Sequence, residues 1–147
     1  MTVSKFNAEG YYDPTAGGAL SAIEREEKAY HHTHWPLVYI CSPYTGDVDR
    51  NVENARRYCR FAMRRGAIPL APHLHYPQFL DDSDPEQRNA GLRFALRLLY
   101  KCDELWRFGA HCSNGMQREI EAAKRRGIEI KYYSEQMEEV HPCTRSK

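Results

Sequence analysis

From Pro36 to Tyr132 short apolar runs alternate with longer amphipathic stretches, and few folds tolerate that alternation. The run Leu37–Cys41, L-V-Y-I-C, is apolar throughout, as a strand covered on both faces must be. Residues 49–65 then repeat at helical spacing, with Val52, Ala55, Cys59, Ala62 and Met63 as the apolar stripe and Gly66 as a C-terminal cap. Residues 67–71 read as a second strand, and 73–84 as a loop. A helix to about Lys101 follows, with Ser83 or Asp84 as its cap, Pro85 in its first turn, and Leu92, Ala95, Leu96 and Leu99 on one face. A third strand is expected over 103–108, a third helix over 113–126 closed by Gly127, and a fourth strand over 128–132. Strands spaced by helices are parallel strands joined by crossovers. The expected fold is therefore one α/β domain of three layers, flavodoxin- or Rossmann-like, with four or five parallel strands. Such sheets bind ligands beyond the C-terminal ends of their strands. That edge would carry the loops at 42–48, 72–84 and 108–115.

Residues 36–133 hold this pattern, and the flanks differ. Residues 1–35 are broken by Gly10, Pro14, Gly17 and Gly18, with a short helix expected over 20–30. This segment reads either as a partly ordered extension or as a helix docking on the core or on a second subunit. Residues 134–147 read as a tail.

Composition narrows the function. At 147 residues and a net charge of +1, the chain has no global basic field to attract nucleic acid. No apolar run approaches the roughly 18 residues that cross a bilayer. The five cysteines show no C-x-x-C spacing, and no targeting pattern precedes them. A reducing cytoplasm is the expected location.

The sharpest local signal is Ser113 to Glu119, S-N-G-M-Q-R-E, at the start of the third helix. A serine, a glycine and free backbone N–H groups at a helix N-terminus suit an anion such as phosphate. Serines there usually only cap, and a glutamate inside a helix is usually solvent-exposed. The loop Ser42-Pro43-Tyr44-Thr45-Gly46-Asp47 suits sugar hydroxyls or phosphate equally with an ordinary turn. His73 follows the second strand directly and is placed to line a pocket. His73 and His75 flank Leu74 and could face one way in an extended stretch, but no third or fourth ligand is evident. No metal or cofactor is therefore expected. Asp81 or Asp82 could reach the pocket mouth. Cys41 and Cys112 lack a basic neighbour in sequence, which disfavours a nucleophilic thiol.

Three blocks resemble the nucleoside 2-deoxyribosyltransferase superfamily, including its branch of 2′-deoxynucleoside 5′-phosphate N-hydrolases. They are Val38-Tyr39-Ile40-Cys41 with Gly46 after it, Cys102-Asp103-Glu104-Leu105, and Ser113-x-Gly115-x-x-x-Glu119. The separation of Asp103 from Glu119 is similar to that of the N-hydrolase branch. The resemblance implies that Glu119 is a nucleophile and that Tyr39 orients it. It implies that Ser113, Gly115 and the helix N-terminus hold a 5′-phosphate or 5′-hydroxyl. Ser42, Pro43 and Gly46 would close over the sugar, with His73 in the binding pocket. It further implies a small-molecule nucleoside or nucleotide partner and a homodimer. The chain departs from the family in two places. The aspartate that meets the base is replaced by Ala95, and the second glycine of the third block is Gln117.

Two functions follow. One is hydrolysis or transfer at an N-glycosidic bond of a nucleoside or nucleoside 5′-monophosphate. The other is a non-catalytic nucleotide-binding module on the same fold.

Overall fold

The computed structural model describes Gly18, residues 21–26 and residues 35–141. The chain divides into two units, Met1–His34 and Trp35–Lys147. In the first unit residues 21–26 are helical. The remainder of the helix expected over 20–30 lies outside the described residues, as do His31, His32, His34 and Cys143. Among the described residues, no helix is long and apolar enough to cross a membrane.

The second unit runs β1 (Leu37–Cys41), α1 (Val48–Arg64), β2 (Ile68–Leu70), α2 (Pro85–Leu99), β3 (Glu104–Phe108), α3 (Asn114–Arg125) and β4 (Glu129–Tyr133). The strands form one four-stranded parallel sheet in the order β2-β1-β3-β4. The expected α/β architecture is present, with four strands. From β1 the chain moves one way to β2, then returns past β1 to β3 and on to β4. Right-handed crossovers moving in opposite directions place their helices on opposite faces. Accordingly α1 covers one face, where Tyr58 and Ala62 meet Val38, Ile40, Trp106 and Phe108. The other face carries α2 and α3, whose Ala95, Leu99, Met116, Ile120 and Ala123 meet Tyr39, Cys41 and Leu105. Alternate residues of β1 thus serve opposite layers, which explains why its whole sequence is apolar.

The two faces differ in kind. The α1 face is aromatic: Tyr58 stacks on Phe108 at 4.1 Å and 9°, and Phe61 meets Tyr133 edge-on at 5.2 Å. Across the sheet, Ala95, Ala122, Ala123, Cys41 and Cys102 are small, so α2 and α3 can lie close to the strands. This closeness brings a side chain of α3 into hydrogen-bonding range of β1.

Several local expectations need correction. Met63 is 56% exposed, and Tyr58 takes its place in the core at 2%. The stripe of α1 is therefore Ala55, Tyr58 and Ala62, rotated slightly from the one expected. Strand β2 is shorter than 67–71. The Ala67 N–H still donates to the Ala62 carbonyl at 3.0 Å, and Pro72 opens a 3-10 turn. Pro69 sits in β2, where an edge position tolerates its missing N–H. Beyond β4 the chain turns back: the Val140 N–H donates to the Tyr132 carbonyl at 2.8 Å, and Tyr133 bridges Glu139. This partly covers the other edge of the sheet.

Asp103 closes the start of the β1–β3 ladder twice over. Its N–H donates to the Leu37 carbonyl at 2.8 Å, and its Oδ2 accepts from the Leu37 N–H at 2.8 Å. Asp103→Ala is expected to cost about 1 kcal/mol, the net value of one such bond. A lowered denaturant midpoint with an unchanged slope checks this.

Candidate active site

The direction reversal between β2 and β3 makes the C-terminal end of β1 a topological switch point. A cleft with a volume of about 590 Å³ opens there. Three loops and the sides of α2 and α3 wall it. Tyr44 and Thr45 come from the β1–α1 loop, Pro72 to Asp82 supply several groups, and His111 to Ser113 lead into α3.

The α3 side holds the most unusual group. Ser113 caps the helix, with its Oγ accepting from the Met116 N–H at 3.2 Å. Glu119 lies farther along, between the buried Met116, Ile120 and Ala123 on the sheet-facing stripe. It is only 7% exposed and lines the cleft. Its Oε1 accepts from the Tyr39 hydroxyl at 2.8 Å, while Oε2 is buried without a partner among the described residues. Burial pushes the Glu119 pKa up to about 7, opposed by the Tyr39 hydrogen bond and the Cys41 thiol. Burial, then the Glu119 charge, raises the Tyr39 pKa well above its ordinary value, so this hydroxyl remains a proton donor. Near neutrality the pair is thus a carboxyl near its midpoint, held by one oxygen and open at the other. Such a group can attack an electrophilic carbon or exchange a proton.

His73 stands on another part of the wall. Its ring stacks on Tyr44 at 5.0 Å and 16°. Burial lowers its pKa, opposed by the Asp82 charge and a hydrogen bond with the Ser42 backbone. His75 does not share this position. Residues Pro72–Leu74 and Tyr76–Gln78 form two 3-10 turns rather than an extended stretch, so His75 is exposed and meets Phe79 instead. Among the described residues, no group of three or more His, Cys, Asp or Glu could hold a metal ion.

The structure brings Glu119, Tyr39, Ser113, Gly115 and His73 to one region, though Tyr39 reaches it from beneath through Glu119. Ser42, Pro43 and Gly46 are not on the cleft wall. Ser42 is turned inward with its Oγ buried and unpartnered among the described residues. Gly46, at φ 101°, forms the turn before α1, accepting from the Val48 N–H at 3.0 Å. The loop instead reaches the cleft through Tyr44 and Thr45. Cys41 is fully buried, and burial holds its thiol protonated well above its ordinary pKa.

Of the acidic cluster, Asp84 caps α2 by accepting from the Glu86 N–H at 3.0 Å. Asp81 is occupied by Ser83, accepting from its N–H at 2.9 Å and its hydroxyl at 2.6 Å. Asp82 also lines the cleft, with no such partner among the described residues. Ala95 does line the cleft, so the wall of α2 offers no carboxylate there. Arg88 was not singled out from the sequence, yet it lines the cleft with Gly91 and Ala95. Their helical spacing carried that signal. A second cavity, about 420 Å³, lies between α2 and α3 and shares Leu92, Gly115 and Glu119 with the cleft; Arg93 and Arg118 line it.

Comparisons with other proteins bear on the fold and the family. A solved structure of a 2-deoxyribosyltransferase from Bacillus psychrosaccharolyticus is similar in fold. It aligns with a TM-score of 0.56 at 15% identity over 66% of this chain and 71% of that one. No curated protein matches the sequence. Residues 36–133 match a family described as a domain of unknown function, DUF7768, and the chain belongs to that family.

Proposed function

We propose that this protein hydrolyses or transfers the base of a nucleoside or nucleoside 5′-monophosphate, with Glu119 as nucleophile. One observation carries the reading: a buried glutamate on the cleft wall, oriented by the Tyr39 hydroxyl at 2.8 Å, has a second oxygen free. The fold, shared with a 2-deoxyribosyltransferase, supports it.

In this mechanism the sugar lies over α3. Oε2 of Glu119 attacks the anomeric carbon as the carbon–nitrogen bond breaks, giving a glycosyl ester. Tyr39 stays on Oε1 and fixes the carboxylate for attack. The N-terminus of α3, with Ser113 and Gly115, offers N–H groups to a 5′-phosphate or 5′-hydroxyl. Water or a second base then attacks the same carbon and frees Glu119. Two displacements retain the configuration at that carbon. No metal or cofactor takes part in this scheme. Residues 36–133 form the catalytic domain in this reading, flanked by the 1–35 extension and the 134–147 tail. The protein acts in the cytoplasm as a homodimer, without a nucleic-acid partner.

The second reading, a nucleotide-binding module without catalysis, is favoured by Ala95, which leaves α2 without a carboxylate for the departing base. A panel of nucleosides and monophosphates decides between them. Catalysis predicts free base from wild type, and a rate at least about a thousand-fold lower from Glu119→Ala. Binding by both proteins with no base released would select the module.

A further inference from the structure

An attacking carboxylate is half of a glycosidic cleavage. The departing nitrogen needs a proton, because an unprotonated purine or pyrimidine anion leaves slowly. That proton must arrive on the side of the sugar away from Glu119. In the sheet order, β2 and β3 flank β1 on opposite sides. Glu119 lies on the helix that follows β3 and His73 follows β2, so the two reach the cleft from elements on opposite sides of β1 in the sheet order. His111 belongs to the loop that leads from β3 into α3, the helix that carries Glu119. Asp81 is held by Ser83. Arg88 does not release its proton. His73 remains, a half-buried imidazole that lines the cleft and stacks on Tyr44 at 5.0 Å.

We propose that His73 is the catalytic acid that protonates the departing base, in place of the carboxylate absent at Ala95. This rests on the N-glycosidic reading. As the bond from C1′ to nitrogen breaks, its electron pair passes to the base, which takes the proton of the His73 imidazolium. Glu119 gains the sugar and His73 becomes neutral. An incoming water then attacks C1′, its proton returns to His73, and Glu119 leaves as a carboxylate. The sum is nucleoside plus water giving free base plus sugar. Burial disfavours the imidazolium and makes it a stronger acid, a shift that the Asp82 charge opposes. The stack on Tyr44 fixes the ring plane.

The test uses the full chain and whichever base wild type releases. That substrate is compared with a form whose base leaves more easily, through N-methylation or ring halogenation. His73→Gln is expected to lose about 100-fold or more on the ordinary substrate and only a few-fold on the activated one. Equal losses on both substrates, or no loss on either, would overturn the assignment. Absence of base release by wild type from either substrate would instead remove the N-glycosidic reading beneath it.

Discussion

Glu119→Gln is expected to abolish base release and, above neutral pH, to make the protein more stable. The carboxyl ionises near pH 7 in the fold against an ordinary 4.5, because it is buried. Between those values the folded chain keeps a proton that the unfolded chain has lost. Stability therefore falls as pH rises from about 4.5 to about 7 and is flat beyond. At pH 8 the wild type carries the whole penalty, up to about 3 kcal/mol for a shift of this size. Glutamine carries no charge to desolvate and can still accept from Tyr39. Its advantage should reach roughly 5–10 °C in Tm at pH 8 and shrink towards zero near pH 5. Thermal melts of the two proteins at both pH values check this. Loss of activity with a gain of stability marks a residue kept for function at a cost to the fold. A destabilised Glu119→Gln at pH 8 would mean the carboxylate holds the core together.

Tyr39→Phe acts on the same pair from the other side. The hydroxyl donates to Oε1 and is the main influence pulling the Glu119 pKa down. Its removal raises that pKa beyond about 7 and leaves Oε1 without its hydroxyl donor, with only the weak Cys41 thiol beside the carboxylate. At pH 8 the cost is about 1–3 kcal/mol, the penalty for a buried acceptor left unpaired. Near pH 5, where wild-type Glu119 is protonated, the cost is smaller. The rate at pH 7 should drop about 100-fold, a typical effect for a positioned hydrogen bond in a dry site. The ascending limb of the pH–rate profile should move to higher pH. An unshifted profile with lowered stability would reduce Tyr39 to a packing residue.

The fold was largely legible because strands alternate with amphipathic helices, and the central strand β1 buries both faces and so must be apolar throughout. Leu37–Cys41 could not serve two layers otherwise. Boundaries blurred where local chemistry took over, as at Ala67, which joins the turn closing α1, and at Pro72, which starts a 3-10 turn. The burial of Glu119 was written in the sequence too. Met116, Glu119, Ile120 and Ala123 fall on one helical stripe, so the general tendency of a helical glutamate to face solvent gives way to its neighbours. Pro72 and Pro77 likewise hinted that His73 and His75 would not share a face. What could not be read was non-local: the stack of Tyr44 on His73 joins two loops that only the folded sheet brings together. Nor does Ser42 differ in sequence from a pocket serine, although its hydroxyl turns inward.

Trapping the covalent intermediate tests the central claim most directly. A nucleoside bearing fluorine at C2′ slows both displacements, and the second more where the departing base is activated. Incubated with wild type and digested, it should leave a fluorosugar on the peptide containing Glu119, found by mass spectrometry. Glu119→Gln should give no adduct. Base release from the natural substrate with no adduct in the wild type, or an adduct on another side chain, would contradict a Glu119 nucleophile.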